Sequence, residues 1–266
     1  MSNNLITDLD NIIRKYFVEL EPVLDKANPN LVDPIFKNII YNKYDSSNLN
    51  TNMVDEKFYQ NLINNININN NNDNTFFYLT NGINKNLKEG GSGTNKAITY
   101  INKDFFNLKN NNVIFNSKNI VKLNLGRNDN QNIINNDILE DNTYPGTVLF
   151  KNIVNFKYKN KYNIEGVFHI NGWDHKIKNV EKEEGYKKLV QAYYTAIMNH
   201  FFNIIKYKIK YKTDMSILHL IQCPGEIYKG TNITANILIE TVKDYLINNK
   251  TELNRLNFRI SIDYKQ

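Results

Sequence analysis

The sequence lacks most of the features that would place the protein in a membrane or outside the cell. It holds a single cysteine, Cys223, in 266 residues, which excludes a fold held together by disulfide bonds. No apolar run approaches the roughly 18 residues that a membrane-spanning helix needs, and no charged-then-apolar leader follows Met1. These absences predict an intracellular, cytoplasmic protein with no membrane partner.

Charge and metal-binding patterns are equally sparse. The net charge is +6, but the lysines are scattered and form no basic block, so anionic ligands in general are favoured and nucleic acid is only a weakly supported partner. No spacing of Cys, His and carboxylate residues indicates a metal, and we expect no cofactor. His169 and His219 lie within apolar strand runs and are expected to be buried. Cys223, with no base in view, is expected to be a buried small side chain.

The first 74 residues predict a helical extension followed by a polar linker. Apolar residues recur at helical spacing between Leu5 and Leu20, which predicts an amphipathic helix that covers a face of the main domain. Further helical stretches are expected over Pro34–Tyr41 and Val54–Ile63. Asn64–Asn74 is a low-complexity loop. Because the asparagine-rich composition is typical of an AT-rich genome, such as that of a giant virus, asparagine runs count little as evidence for chemistry.

From Thr75 to the C-terminus the pattern is that of one α/β domain. Short β-rich runs, namely FFYLT, VIFN, NIVKLNL, TVLF, IVNFKY, GVFHI, ILHLIQC and FRISIDY, alternate with two strong helical repeats. The helical repeats cover 189–201 and 234–246. This alternation predicts a sheet covered by helices. A polar stretch, 102–142, is expected to be a partly ordered insertion.

The most informative stretch is NGINKNLKEGGSGTNKAI, from Asn81 to Ile98, which joins a short apolar strand to an expected helix. Four small residues, Gly90, Gly91, Ser92 and Gly93, can turn successive backbone N–H groups towards one anion. A helix that begins near Thr94 or Asn95 would add its positive N-terminal end. The stretch fits neither the P-loop nor the Rossmann fingerprint. It therefore predicts a phosphate cradle of another kind.

This stretch resembles the signature of the macrodomain family, a strand followed by NAANxxLxxGGGVDGAI. Asn81-Gly82-Ile83-Asn84 stands in the place of Asn-Ala-Ala-Asn, Leu87 matches the leucine, and Asn95 replaces a frequent Asp. Three more blocks follow in the family's order. GVFHINGWDHK, 166–176, is similar to a VIHxVGP strand, and EEGYKKLVQAYYTAIMNHFF, 183–202, is similar to the helix that follows it. The third block, 218–246, is similar to a strand, a second phosphate loop and a helix.

The resemblance implies a three-layer α/β/α sandwich with a mixed central sheet over 75–266. It implies binding of ADP-ribose or a related nucleotide diphosphate, free or attached to a macromolecule, with weak mono-ADP-ribosyl hydrolysis as an added activity. Asn84 and Asn95 would stand at the reacting centre, and Asn95→Asp would then raise turnover because an amide cannot act as a base. The implied ligand-binding residues are Asn81, Gly90, Gly91, Ser92, Gly93, Gly225, Ile227 and Tyr228.

A different interpretation stays open. Glu226 places a negative charge beside the expected diphosphate, Asn95 replaces an Asp, and the family's early Gly-Asp-Ile-Thr is not found. These departures are typical of a degenerate macrodomain that acts as a non-catalytic interaction or virion-associated module.

Overall fold

The computed structural model describes residues 33–44, 75–83, 87–90, 93–107, 112–117, 146–152, 163–171, 180–208, 214–223 and 232–265. The chain divides into two compact units, one that ends at Lys37 and one that begins at Asn38. The 3-10 helix η1 (Pro34–Asn38) follows Asp33, whose Oδ1 accepts a hydrogen bond of 3.1 Å from the backbone N–H of Ile35. The second unit contains the sheet.

Seven strands form one mixed sheet. In chain order they are β1 (Ile39–Tyr44), β2 (Thr75–Ile83), β3 (Asn112–Phe115), β4 (Val148–Asn152), β5 (Ile164–Asn171), β6 (Met215–Ile221) and β7 (Phe258–Lys265). Across the sheet the order is β1-β7-β6-β2-β5-β4-β3. The first five strands of that order run parallel to one another, β4 is antiparallel to β5, and β3 is antiparallel to β4. The predicted mixed sheet is confirmed.

The helices match the sequence pattern closely. They are α1 (Gly93–Ile101), α2 (Val180–Lys208), α3 (Asn232–Asn248) and the single turn α4 (Lys250–Leu253), with a 3-10 helix η2 (Lys103–Phe106) after α1. Both helical repeats predicted from the sequence lie inside α2 and α3. None of the described helices combines the length and apolar character needed to cross a membrane.

The helix α1 covers one face of the sheet. Successive side chains of a strand point to opposite faces, so Phe77 and Leu79 of β2 share a face. That face packs on Ala97 and Ile98 of α1 in a cluster that also holds the fully buried Phe105 of η2. Part of the stretch expected to be a polar insertion therefore belongs to the core.

The other face of the sheet is covered by α2 and α3. Tyr78, between the two residues that face α1, has its ring 5.3 Å from that of Phe201 in α2. The two helices pack on each other, with the rings of Phe202 and Tyr245 stacked at 5.6 Å. Helices on both faces of the sheet make the predicted three-layer α/β/α sandwich.

The first strand corrects one expectation. We expected a helix over Pro34–Tyr41, but the chain is helical only to Asn38, and β1 then pairs in parallel with β7 from Ile39↔Ile260 to Tyr44↔Lys265. A strand edge leaves backbone N–H and C=O groups unpaired, and β1 satisfies those of β7. The sheet thus extends upstream of Thr75, where we expected the domain to begin.

Other expectations lie outside the described residues. These are the amphipathic helix between Leu5 and Leu20, the helix over Val54–Ile63, the loop Asn64–Asn74, and the strands NIVKLNL and IVNFKY.

Gly166 in β5 is required by the packing of the face that contacts α2. A Cβ atom at this position would lie 2.5 Å from the ring of Phe150 and 3.2 Å from the carbonyl oxygen of Lys151. We expect Gly166→Ala to lower the free energy of unfolding by about 1–3 kcal/mol, because overpacking forces the ring or the strand to shift. Urea unfolding, with the slope unchanged, measures this loss.

Gly82→Ala is the matched control for this substitution. A Cβ atom at Gly82 would meet only Sγ of Cys223, at an ordinary contact distance of 3.6 Å. Its effect should stay within about 0.5 kcal/mol. Equal effects of the two substitutions would contradict the packing argument.

Candidate functional site

The carboxyl ends of β2 and β6 mark the place where a ligand is expected. These strands are parallel neighbours near the middle of the sheet. The chain leaves β2 towards α1 on one face and leaves β6 towards α3 on the other. Where neighbouring parallel strands send their connections to opposite faces, a crevice forms outside their carboxyl ends, and ligands of α/β proteins bind there.

A threonine separates the two strands at this crevice. The backbone pairing of β2 with β6 ends at Leu79↔His219. Beyond it the hydroxyl of Thr80 donates to the carbonyl oxygen of His219 at 2.9 Å and accepts from the backbone N–H of Ile221 at 2.9 Å. On its other side β2 stays paired with β5 as far as Ile83. The hydroxyl therefore replaces a backbone partner and lets the ends of β2 and β6 part.

The described part of the turn between β2 and α1, residues 87–90, contains two residues with left-handed backbone conformation. Leu87 and Gly90 both have positive φ, of 54° and 86°. A Cβ atom at Gly90 would meet nothing within 4 Å, so the requirement for glycine there is conformational and not steric. The helix begins at Gly93, close to the predicted start at Thr94 or Asn95.

The hydrogen bonds of Gly90 differ from the expectation. Its backbone N–H donates to the hydroxyl of Thr99 at 2.8 Å, and that hydroxyl donates to the carbonyl oxygen of Asn95 at 2.7 Å. The N–H of Gly90 is thus used inside the turn and does not face an anion. Gly90 shapes the turn, so an anion at this place would have to be bound by other donors, such as the first N–H groups of α1, which have no partner within the helix.

Asn95 anchors the turn to the helix. Its side chain is 7 % exposed, and its Nδ2 donates to the carbonyl oxygens of Lys88, at 3.2 Å, and of Gly90. Its Oδ1 accepts from Nδ2 of Asn81 at 2.9 Å. Both N–H groups of the amide are committed to the main chain. In the free protein this amide therefore holds the turn, and the place at the reacting centre that the resemblance implies for Asn95 stays a prediction.

The network continues from Asn81 into the core. Nδ2 of Asn81, which is fully buried, lies 3.0 Å from Nδ1 of His169, and Nε2 of His169 lies 2.9 Å from the carbonyl oxygen of Phe105. Burial lowers the pKa of His169 to about 4, with a smaller contribution in the same direction from the charge of Lys151 and an opposing one from the hydrogen bond to Phe105. At neutral pH the imidazole is neutral, as expected of a buried core histidine.

The other side of the crevice begins at Cys223, the second residue after the end of β6. The hydroxyl of Tyr194 accepts from the backbone N–H of Cys223 at 2.8 Å and donates to the carbonyl oxygen of Ile221 at 2.5 Å. The hydroxyl of Tyr193 donates to the carbonyl oxygen of Cys223. Two adjacent tyrosines of α2 thus fix the point at which the second loop leaves the sheet.

The structure brings together only part of the predicted site. Asn81, Gly90, Gly93 and Asn95 lie around the turn between β2 and α1. The remaining predicted residues lie outside the described residues and stay predictions; they are Asn84, Gly91, Ser92, Gly225, Ile227 and Tyr228. Within the described ranges, no three His, Cys, Asp or Glu side chains gather into a metal-binding group.

Sequence reasoning missed Thr80, Thr99, Tyr193 and Tyr194. A local signal existed for the tyrosines, since a buried tyrosine hydroxyl on a helix face has to find a partner. Their partners are not visible in the sequence because they lie on a distant strand.

Cys223 is expected to be unreactive in the folded protein. Burial raises the pKa of its thiol to about 12, and the thiolate is the reactive form. At pH 8 we expect labelling of the native chain by a disulfide reagent to be at least about 100-fold slower than in urea. Because the chain has no other cysteine, the rate reports this residue alone. Rapid labelling of native protein would show that the start of the second loop opens.

Asn95→Asp should destabilise the protein. The substitution removes two donors and directs a carboxylate at two backbone carbonyls in a buried position, which we expect to cost about 2–4 kcal/mol of unfolding free energy at pH 7. Urea unfolding measures it. The loss should shrink as the pH falls towards 4, because a carboxyl whose native pKa is raised regains stability when it is protonated.

Asn203→Asp is the control, since Asn203 is an exposed residue of α2 and the same charge change there should have little effect. A stable Asn95→Asp protein with raised turnover would support the role at the reacting centre instead.

Comparison with models of known protein families gives no match, and comparison with curated proteins gives none either. Among solved structures, the chain is similar to the macrodomain of Oceanobacillus iheyensis. For its form with MES bound the identity is 14 %, with 70 % of this chain and 75 % of that chain covered and a TM-score of 0.41. For its form with ADP the identity is 14 %, the coverage 71 % and 76 %, and the TM-score 0.42. At these values the likeness carries no argument about function, which has to be drawn from the site.

Proposed function

We propose that the protein binds ADP-ribose, or a related nucleotide diphosphate, at the carboxyl ends of β2 and β6. The observation that carries the proposal is the position of the glycine turn and the start of α1 at the crevice between these strands. The first N–H groups of a helix and its positive dipole end bind a diphosphate well. The resemblance of this stretch to the macrodomain signature selects ADP-ribose among the diphosphates.

The side chain of Asn81 provides a second observation in support of the proposal. Its Nδ2 is held by Asn95 and His169, which leaves its Oδ1 as a buried acceptor with no hydrogen-bond partner among the described residues. A buried acceptor without a donor costs about 1–3 kcal/mol. A ligand hydroxyl or amine that donates to this oxygen would remove that cost, which agrees with Asn81 as a ligand-binding residue.

The roles of the other predicted residues follow from the proposal. Asn84 would hydrogen-bond the ribose, because an amide both donates and accepts. Gly91, Ser92 and Gly93 would contact the phosphates. On the far side of the crevice, Gly225 and Ile227 would line the second phosphate loop. Tyr228 would stack on the distal ribose of free ADP-ribose or of an ADP-ribosylated macromolecule.

Binding without rapid hydrolysis is the activity that the described groups favour. General acid–base catalysis needs a group whose pKa lies near the working pH. His169 has a pKa of about 4 with both ring nitrogens engaged, the thiol of Cys223 has a pKa of about 12, and Asn95 carries no ionisable group. We therefore propose slow or undetectable release of ADP-ribose from a mono-ADP-ribosylated acceptor.

ADP-ribose should raise the melting temperature of the protein. A ligand at 100 times its dissociation constant stabilises the native state by about 2.7 kcal/mol. ADP and AMP, which lack the distal ribose, should stabilise it less at equal concentration. Calorimetric titration of the three nucleotides measures the order of affinity.

Gly90→Ala is the informative variant for the same titration. It strains the backbone at φ of 86° and should weaken ADP-ribose binding, whereas Gly82→Ala should not. If folded protein shows no shift with millimolar ADP-ribose, the proposal is wrong and a non-catalytic interaction module becomes the better interpretation.

A further inference from the structure

We infer that His169 is a positioning residue of the candidate site, which acts through Asn81 and Asn95 to fix the turn at residues 87–90. The inference rests on the proposed function for its ligand. The chain of contacts itself belongs to the free protein and can be tested there.

The direction of each hydrogen bond in this chain is forced. Nδ2 of Asn95 faces two carbonyl oxygens, which only accept, so this atom is the donor and the amide is oriented without ambiguity. Oδ1 of Asn95 then needs a donor, and Nδ2 of Asn81 supplies it. The two asparagines can therefore adopt only one mutual orientation.

The same reasoning selects one form of the imidazole. Nδ1 of His169 faces the N–H group of Asn81 and has to accept, whereas Nε2 faces the carbonyl oxygen of Phe105 and has to donate. Only the neutral tautomer with its proton on Nε2 satisfies both neighbours. An imidazolium would set N–H against N–H, and the low pKa of the buried ring agrees with its exclusion.

His169 thus connects η2 to the turn at residues 87–90. The carbonyl oxygen of Phe105 fixes the tautomer, the tautomer provides the acceptor that holds Asn81, and Asn81 holds the amide that binds the turn. The ring of Phe106, with its centroid 5.2 Å from that of His169, packs on the imidazole. A turn held in one conformation before the ligand arrives loses less entropy on binding.

Two amide substitutions test the two hydrogen bonds of the imidazole separately. An asparagine side chain places its oxygen near the position of Nδ1, so His169→Asn keeps an acceptor for Asn81 and gives up the contact with Phe105. A glutamine side chain reaches the position of Nε2, so His169→Gln keeps the donor for Phe105 and gives up the contact with Asn81. Both variants lose one buried hydrogen bond, and comparable losses of stability are expected.

Ligand binding should distinguish the two variants. We expect His169→Gln to weaken ADP-ribose binding by about 10-fold, the equivalent of one hydrogen bond, and His169→Asn to stay within about 3-fold of the natural sequence. His200→Asn is the matched control. His200 lies in α2 against the rings of Phe150 and Phe168, on the face of the sheet away from the turn. The variant His200→Asn should therefore change the stability of the protein without changing its affinity for ADP-ribose.

Two measurements on the free protein test the positioning role whether or not ADP-ribose binds. The ¹⁵N shifts of the His169 ring should report a protonated Nε2 and an unprotonated Nδ1 at pH 7. Exchange of the Gly90 amide, which donates to Thr99, should be faster in His169→Gln than in His169→Asn.

A ring protonated on Nδ1 would overturn the inference, as would equal amide exchange in the two variants. If the ring is protonated on Nε2 and the Gly90 amide exchanges faster in His169→Gln, but ADP-ribose does not bind the natural sequence, the proposed function fails and the positioning role stands. If ADP-ribose binds equally well to both variants, His169 is merely structural.

Discussion

The candidate site depends on the hydrogen bonds of one amide, the side chain of Asn95. Its Nδ2 holds the carbonyl oxygens of Lys88 and Gly90, and its Oδ1 holds Asn81. A turn that carries positive φ angles at Leu87 and Gly90 cannot use the regular hydrogen bonds of a strand or helix. The amide supplies these bonds from the first turn of α1, so the turn and the helix start form one unit.

The sequence predicts most of the regular structure, because the information for it is local. Short runs rich in β-branched and aromatic residues identify β2, β5, β6 and β7, and the helical repeats identify α2 and α3. The strand β1 was predicted as helix because its short run after Pro34 fits both patterns. Its pairing with β7, more than two hundred positions away in the sequence, decides the outcome. Local propensity does not contain that information.

The same difference between local and long-range information applies to the site. The glycine turn could be found from the sequence since its members are neighbours, but the uses of its atoms could not. The resemblance assigns Gly90 to the ligand and Asn95 to the reacting centre, and in the free protein the N–H of Gly90 and both N–H groups of the Asn95 side chain are used by the turn itself. Thr80 was missed because its hydroxyl acts on a strand 139 positions away. A polar turn satisfies its own buried groups first, and only the groups left over can serve a ligand.

The kind of ligand that this site can bind depends on which groups satisfy the buried hydrogen-bonding atoms of the turn. The described groups that shape the turn are neutral: amides, a hydroxyl and an imidazole whose burial lowers its pKa to about 4. Neutral donors held in fixed directions stabilise an anion without bringing a counter-charge into the core, where an unpaired charge would be expensive. The net charge of +6 can raise the rate at which a diphosphate arrives, and this contribution weakens with salt. Because these groups are used within the turn, in the proposed function it is the first backbone N–H groups of α1 that would meet the ligand, and the neutral groups would act by fixing where that helix begins.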